Sequence, residues 1–212
     1  MIMIPKVIFQ TSKERQFEYV IKMIVDNSPD WTYIHFTDNE IIEFFNNNYL
    51  EEFPDIINKF NNMPTGAHKA DLFRYYYLYI YGGVFIDSDL MITTNIENIV
   101  CNFNLITVEG GGNSIFQGLL ASTPKNEIIY ETLIDAYNID IIKLSKSYHL
   151  LCYNMYKIIK KFDNSKYNFK LYKDKVLDEL SYGIYDNETL IGIHYYVTKI
   201  INPNLFKPSN MS

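Results

Sequence analysis

The stretch from Gly66 to Leu90, GAHKADLFRYYYLYIYGGVFIDSDL, restricts this chain more than any other. Between Ala67 and Tyr81 it holds neither Gly nor Pro, and a run of that kind predicts a helix. Gly82-Gly83 ends it, because Gly takes left-handed dihedrals past a helix end at little cost. Val84-Phe85-Ile86 is then a short, wholly apolar strand that delivers Asp87-Ser88-Asp89 at its carboxyl end. A helix feeding directly into a buried strand needs a sheet to receive it, which points to an α/β architecture.

The rest of the chain agrees with that class. Lys6 to Phe9 reads as a buried strand, followed by helical spacing at Phe17, Val20, Ile21 and Ile24. Thr32 to Phe36 is a second strand, and Thr37-Asp38-Asn39-Glu40 has the form of a capping box opening a helix through Ile41, Ile42, Phe44 and Phe45. A helix around Ile56 to Phe60, a strand from Leu105 to Val108, a Gly110-Gly111-Gly112 loop, helices at Asn126–Tyr137 and Tyr148–Phe162, and a strand from Thr189 to His194 complete the pattern. With no repeat or linker in view, residues 1–212 are expected to form a single domain. Its expected form is a mostly parallel central sheet with helices on both faces and a helix-rich C-terminal half.

Charge narrows the partners. The chain has 212 residues and a formal net charge of −6, which excludes a nucleic-acid groove unless a dense basic patch exists. The one basic cluster, Lys157, Lys160 and Lys161, sits in a helical pattern and reads as a solvated face. Cys101 and Cys152 are far apart and lack CxxC spacing, so they permit a disulfide without arguing for one. No leader or spanning segment is visible, and a soluble, cytoplasmic protein is expected. Heavy use of Asn, Ile, Lys and Tyr points to an AT-rich source, viral or bacterial, and carries no chemistry.

The chemistry sits in the opening stretch. Asp71 and Arg74 lie three apart and share one helix face. Asp87 and Asp89, two apart in an extended chain, point to the same side and can converge on one cation. Carboxylate oxygens suit Mg²⁺ or Mn²⁺, which keep waters and bind substrate phosphates. Each piece also has a plain reading: a strand-end acid pair, a surface ion pair, an ordinary helix stop. Their order and spacing together are what carry the argument.

That ordered set resembles the DxD-containing glycosyltransferases of the Och1-like and capsular-polysaccharide type. Ala67, Lys69, Ala70, Asp71, Arg74, Leu78, Gly82, Gly83, Val84, Phe85, Asp87 and Asp89 stand at the places of the family's motif. The glucosylating domain of large clostridial toxins is a more distant likeness. Ile4 to Thr11 resembles the family's opening strand, Trp31 to Glu40 its next segment, and Asn113 with Ala121 to Pro124 its donor and acceptor stretch. His194 resembles a late metal-holding His. Phe9 and Ser12 depart from the family's His and Trp, Thr198-Lys199 stands for Ser-Trp, and no T-G-P triplet occurs near Tyr148 to Tyr153.

The resemblance implies a GT-A-like fold and a retaining, metal-dependent hexosyl transfer from a nucleotide-sugar, a UDP-sugar by expectation, to a glycan or other hydroxyl acceptor. It implies that Asp87, Asp89 and His194 hold Mn²⁺ or Mg²⁺, and that Asp71 and Arg74 grip the donor sugar. Gln10, Thr11, Ser88 and Asn113 join the donor site, with donor binding mainly in residues 1–110 and acceptor elements in 111–212. His68 and His35 read as structural, and His149 has no partner at metal-ligand spacing. Two rivals stay open: a nucleotide-sugar-binding module without turnover, and a haloacid-dehalogenase-like phosphohydrolase. The second usually has Thr or Val where Met91 stands.

Overall fold

A computed structural model describes residues 3–14, 18–179 and 181–195, so Phe17, Thr198 and Lys199 lie outside the described residues. The elements run β1 (Val7–Thr11), α1 (Glu18–Asn27), β2 (Thr32–Phe36), α2 (Asp38–Asn47), α3 (Ile56–Asn61), α4 (Gly66–Tyr81), β3 (Gly83–Ile86) and β4 (Leu90–Ile92). They continue with α5 (Ile96–Val100), β5 (Leu105–Gly110), β6 (Ser114–Ser122), α6 (Glu127–Asn138), α7 (Ile141–Lys146), α8 (Leu150–Ile159), α9 (Asn164–Tyr167), β7 (Phe169–Asp178), β8 (Ser181–Asp186) and β9 (Thr189–Tyr195).

Among the described residues the strands form one sheet in the order β2-β1-β3-β6-β5-β7-β8-β9-β4. The sheet is mixed, which corrects the mostly parallel expectation. β1 runs parallel to β2 and β3, and β5 to β7. The β3–β6, β5–β6, β7–β8, β8–β9 and β4–β9 pairs are antiparallel. The difference comes from β6, β7 and β8, which have no counterpart in the sequence reading. Tight turns join β5 to β6 and β8 to β9, and antiparallel pairs need no crossover helix. The C-terminal half is likewise not helix-rich throughout, because its helices end at Tyr167 and three strands follow.

Helices cover both faces of the sheet. One core packs α2, α3, α4, α6 and α8 against Phe9 and Phe85, while the other packs α1 and α5 against Ile8, Val84 and Ile86. Adjacent strand residues thus feed opposite cores, as the pleat requires. The capping box is present, with Thr37 Oγ1 accepting from the Glu40 amide and Glu40 Oε2 accepting from the Thr37 amide at 2.7 Å. No helix among the described residues is long and apolar enough to cross a membrane. Both cysteines are free, and Lys157, Lys160 and Lys161 are exposed.

α4 is the element that positions the site. Thr65 caps its start, accepting from the His68 amide at 3.2 Å. Its end needs two glycines for two reasons. Gly82 and Gly83 have φ of 68° and 107°, and an added Cβ would stand 2.7 Å from Ser122 O and 2.8 Å from Val7 O respectively. Between these ends α4 is buried on nearly all sides, including Leu72, Phe73, Tyr75, Tyr76 and Leu78. Each such apolar side chain contributes roughly 1.5–3 kcal/mol on burial. Asp71 and Arg74 are therefore carried into the interior.

Candidate active site

The carboxyl ends of β1, β2 and β3 lie side by side, where open α/β sheets receive ligands. Asp87 stands at that edge, and its backbone is held from several directions. Its amide donates to Gly118 O at 2.8 Å, and its carbonyl accepts from the Leu90 amide at 3.1 Å and from Gln10 Nε2 at 3.2 Å. Tyr33 O–H donates to Gln10 Oε1 at 2.9 Å, which satisfies the other end of that amide. Gln10 is fully buried, so its side chain holds Asp87 in place and reaches no solvent.

The acid pair is not arranged as an extended strand would arrange it. Asp87-Ser88-Asp89 is not extended: it forms the turn between β3 and β4, with Ser88 exposed at its tip. The turn still brings the two carboxylates near each other. Burial pushes the Asp87 carboxyl up from its ordinary value; Arg74 pulls it down, Asp89 adds to the rise, and His194 opposes it. On the far side β4 pairs with β9, setting Leu90 opposite His194. His194 Nε2 lies 3.6 Å from Asp89 Oδ2, and its ring packs on Phe116 with centroids 4.4 Å apart.

Arg74 is the hub. Its Nη2 lies 3.3 Å from Asp71 Oδ1 and 3.3 Å from Asp87 Oδ1, while Nη1 donates to Gln117 O at 2.6 Å. The guanidinium rests on the Phe85 ring, 3.9 Å from its centroid. The plain reading of Asp71 and Arg74 as a surface pair fails, since their side chains are 11% and 4% exposed. Burial pushes the Asp71 carboxyl up to about 6 despite the pull of Arg74; Asp87 adds to the rise, while His68 and His149 oppose it.

The donor chemistry fits a hard divalent cation that keeps water and ligand oxygens. Asp89 and His194 are together and partly exposed. A closed protein cage is not present: among the described residues no three His, Cys, Asp or Glu side chains converge as a metal set. Asp87 Oδ1 faces Arg74, so Asp87, Asp89 and His194 do not close into a trio.

Of the other expected residues, Thr11 ends β1 opposite Phe36. Asn113 is at the exposed β5–β6 turn, with φ of 60°. His35 pairs with Ser12 Oγ at 2.7 Å, and the Ser12 hydroxyl also donates to Glu14 O. Phe9, in the family's His position, is fully buried.

Several neighbours of the site escaped sequence reasoning. Gln117 accepts Arg74 on its backbone and the Tyr75 hydroxyl on Oε1. Gly118 leaves room for Asp87 and Phe116, since an added Cβ would collide with the Phe116 ring and stand 2.8 Å from Asp87 Oδ2. Tyr148, His149 and Cys152, at the start of α8, lie in the field of Asp71. Burial, with Asp71 behind it, pushes the Cys152 thiol up to about 12, which keeps it protonated and unreactive. The docking of α8 brings them in.

Residues 14–105 match the glycosyltransferase sugar-binding region containing DXD motif. This segment is similar to the DXD-type glycosyltransferase regions. Inositol phosphoceramide mannosyltransferase 1 of Schizosaccharomyces pombe is 30% identical to this chain over 139 residues, covering 61% of this chain and 42% of the relative. Mannosyl phosphorylinositol ceramide synthase SUR1 of Saccharomyces cerevisiae is 37% identical over 91 residues, covering 41% of this chain and 23% of the relative. The chain thus spans less than half the length of these curated relatives. A solved PaToxG glycosyltransferase shares the fold, with a TM-score of 0.56 at 15% identity, over 75% of this chain and 70% of that one. Within the matched residues the D-x-D sequence is Asp87-Ser88-Asp89.

Proposed function

We propose that this glycosyltransferase region belongs to a retaining hexosyltransferase, which uses a nucleotide-sugar, a divalent cation and a hydroxyl acceptor. The observation that carries the reading is Arg74, which ties Asp71 on α4 to Asp87 of the DXD turn. A buried guanidinium bridging two carboxylates at a ligand-receiving sheet edge is more than a fold needs. It presents a fixed polar rim for sugar hydroxyls. The relatives are named for mannosyl transfer, so mannose is the hexose proposed. A UDP-sugar is the proposed donor class, to be tested against GDP-sugars. Donor binding falls mainly to residues 1–110 and acceptor binding to residues beyond.

Asp89 and His194 would hold Mn²⁺ or Mg²⁺, with Asp87 supporting from the Arg74 side. The cation, when bound, supplies positive charge to the diphosphate as it leaves. Asp71 and Arg74 orient the sugar, and Gln10 keeps the DXD turn in register with β1. Both Asp71 and Asp87 face Arg74, and the Cys152 thiol is protonated, so none of these three is offered as a nucleophile. The reaction proposed is a front-face displacement. The acceptor oxygen bonds to the anomeric carbon as its bond to phosphate oxygen breaks, and the acceptor proton passes to that phosphate.

A thermal-shift screen of UDP- and GDP-hexoses with Mn²⁺ identifies the donor, and product release then measures turnover. Asp89→Asn should fold normally and lose turnover by several orders of magnitude, with the Mn²⁺-dependent shift abolished. Normal turnover in Asp89→Asn, or full donor binding in excess chelator, removes the reading.

A further inference from the structure

Tyr148 stands at the entry to α8, held against α4 one turn ahead of Asp71. Its backbone carbonyl accepts from His68 Nε2 at 2.9 Å; a carbonyl can only accept, so that nitrogen carries the proton. His68 is buried on α4, three residues before Asp71. The entry to α8 is therefore pinned to the helix that carries Asp71 and Arg74. The Tyr148 ring lies 5.2 Å from the His68 ring and 5.0 Å from the His149 ring, perpendicular to the latter. Yet Tyr148 remains 55% exposed. Two histidines fix the ring while more than half of the residue stays bare.

The electrostatic surroundings say what such a ring faces. Behind the effect of burial, Asp71, Asp87 and Asp89 all push the Tyr148 phenol up. Geometry puts the ring on the same side: it packs on His68, one turn of α4 before Asp71, and Asp71 shares Arg74 Nη2 with Asp87. An aromatic face next to hydroxyl-accepting carboxylates suits one class of molecule well. A pyranose or cyclitol ring presents C–H bonds on its faces and hydroxyls around its rim, so one face can lie on the aromatic ring while the rim reaches the acids. A linear alcohol offers no such face.

Resting on the transferase reading above, we propose that Tyr148 is the acceptor platform, stacking on one face of a ring-shaped polyol and selecting cyclic over linear alcohol acceptors. Arg74 and Asp71 lie deeper and serve the donor sugar, while Tyr148 covers the exposed approach. The ring does this work, and the phenol hydroxyl is dispensable.

The test compares the full chain with Tyr148→Phe, Tyr148→Ala and Tyr148→Leu, the last keeping bulk without an aromatic face. The probes are methyl α-D-mannopyranoside and myo-inositol as ring acceptors and 1-propanol as the linear one, with the donor found by the screen. Ala and Leu should raise KM for the ring acceptors about tenfold, leaving kcat and the rate with 1-propanol unchanged, and Phe should match the parent chain. Saturation-transfer NMR of the ring probes in the presence of UDP and Mn²⁺ reads binding without turnover, and the signal should vanish in Ala and Leu only. Equal losses for ring and linear acceptors, a loss in Phe, or an unchanged NMR signal in Ala overturns the platform while leaving the transferase reading intact. Ring binding that depends on Tyr148 without turnover from any donor supports the platform and removes the transferase reading instead.

Discussion

Asp71→Asn should make this protein more stable and less active, and the size of the gain follows from the site. The Asp71 carboxyl is pushed from 3.8 to about 6, with burial the main cause and Arg74 offsetting only part of it. At about 1.4 kcal/mol per pH unit, that difference is about 3 kcal/mol of cost for ionised Asp71 at neutral pH. The sign is fixed by proton counts. Between pH 4 and 6 the folded state holds more protons than the unfolded one, so stability falls as pH rises through that window and levels off above it. Asn fills the same space without the charge. Arg74 keeps Asp87 3.3 Å away but loses its second carboxylate, so a net gain of about 1–2 kcal/mol at pH 7 is expected. For a chain of this size that is about 3–6 °C in Tm. Urea unfolding of both proteins from pH 4 to 8 is the assay, with the advantage of Asn near zero at pH 4 and growing through pH 6. A variant less stable than the parent at pH 7, or an advantage independent of pH, would refute the argument that burial dominates at Asp71.

Arg74→Met should act in the opposite direction, costing about 3–5 kcal/mol in denaturant unfolding, because it leaves Asp71 and Asp87 buried without a counter-charge. Gly118→Ala should cost about 1–3 kcal/mol and most of the turnover, since its Cβ meets the Phe116 ring that packs on His194 and comes 2.8 Å from Asp87 Oδ2; melting and turnover measured together check both. Gln10→Leu should cost about 2–4 kcal/mol by the same unfolding assay, as it removes the partner of the Tyr33 hydroxyl and a support of the Asp87 carbonyl inside the protein.

What the sequence revealed and what it hid divide along a physical line. The capping box at Thr37, the helix stop at Gly82-Gly83 and the strand at Thr32–Phe36 are set by neighbours within a few residues, and all three stand where local chemistry put them. β7 was not readable: FKLYKDKVLD mixes charge into every turn of the pattern, and its identity as a strand comes from pairing with β5 and β8 far along the chain. The depth of the Asp71–Arg74 pair was hidden for a related reason. An amphipathic helix shows which face is wet, whereas α4 carries aromatic residues around its whole circumference and shows none. The acid pair was found by spacing, but the alternation argument used for it does not describe a turn. The wall from Tyr148 to Cys152 depends entirely on where α8 docks.

The departures from the family pattern become intelligible at the level of packing. Phe9 replaces a polar residue at the heart of an aromatic cluster, with centroids 4.1 Å from Tyr77, 5.3 Å from Phe85 and 6.2 Å from Phe73. Phe85 is the ring on which the Arg74 guanidinium rests. A histidine in that position would need a buried partner for each ring nitrogen, in a cluster made mainly of phenylalanine rings. Phenylalanine instead extends the apolar base beneath Arg74 by one more ring. Ser12 shows the same logic at the end of β1. Where the family has a large indole, this chain has a hydroxyl that closes on the Glu14 carbonyl and on His35 of β2, tying the loop after β1 to the neighbouring strand. Both substitutions thus sit inside local arrangements that leave Arg74, Asp71 and Asp87 connected, so neither change argues against an operative site.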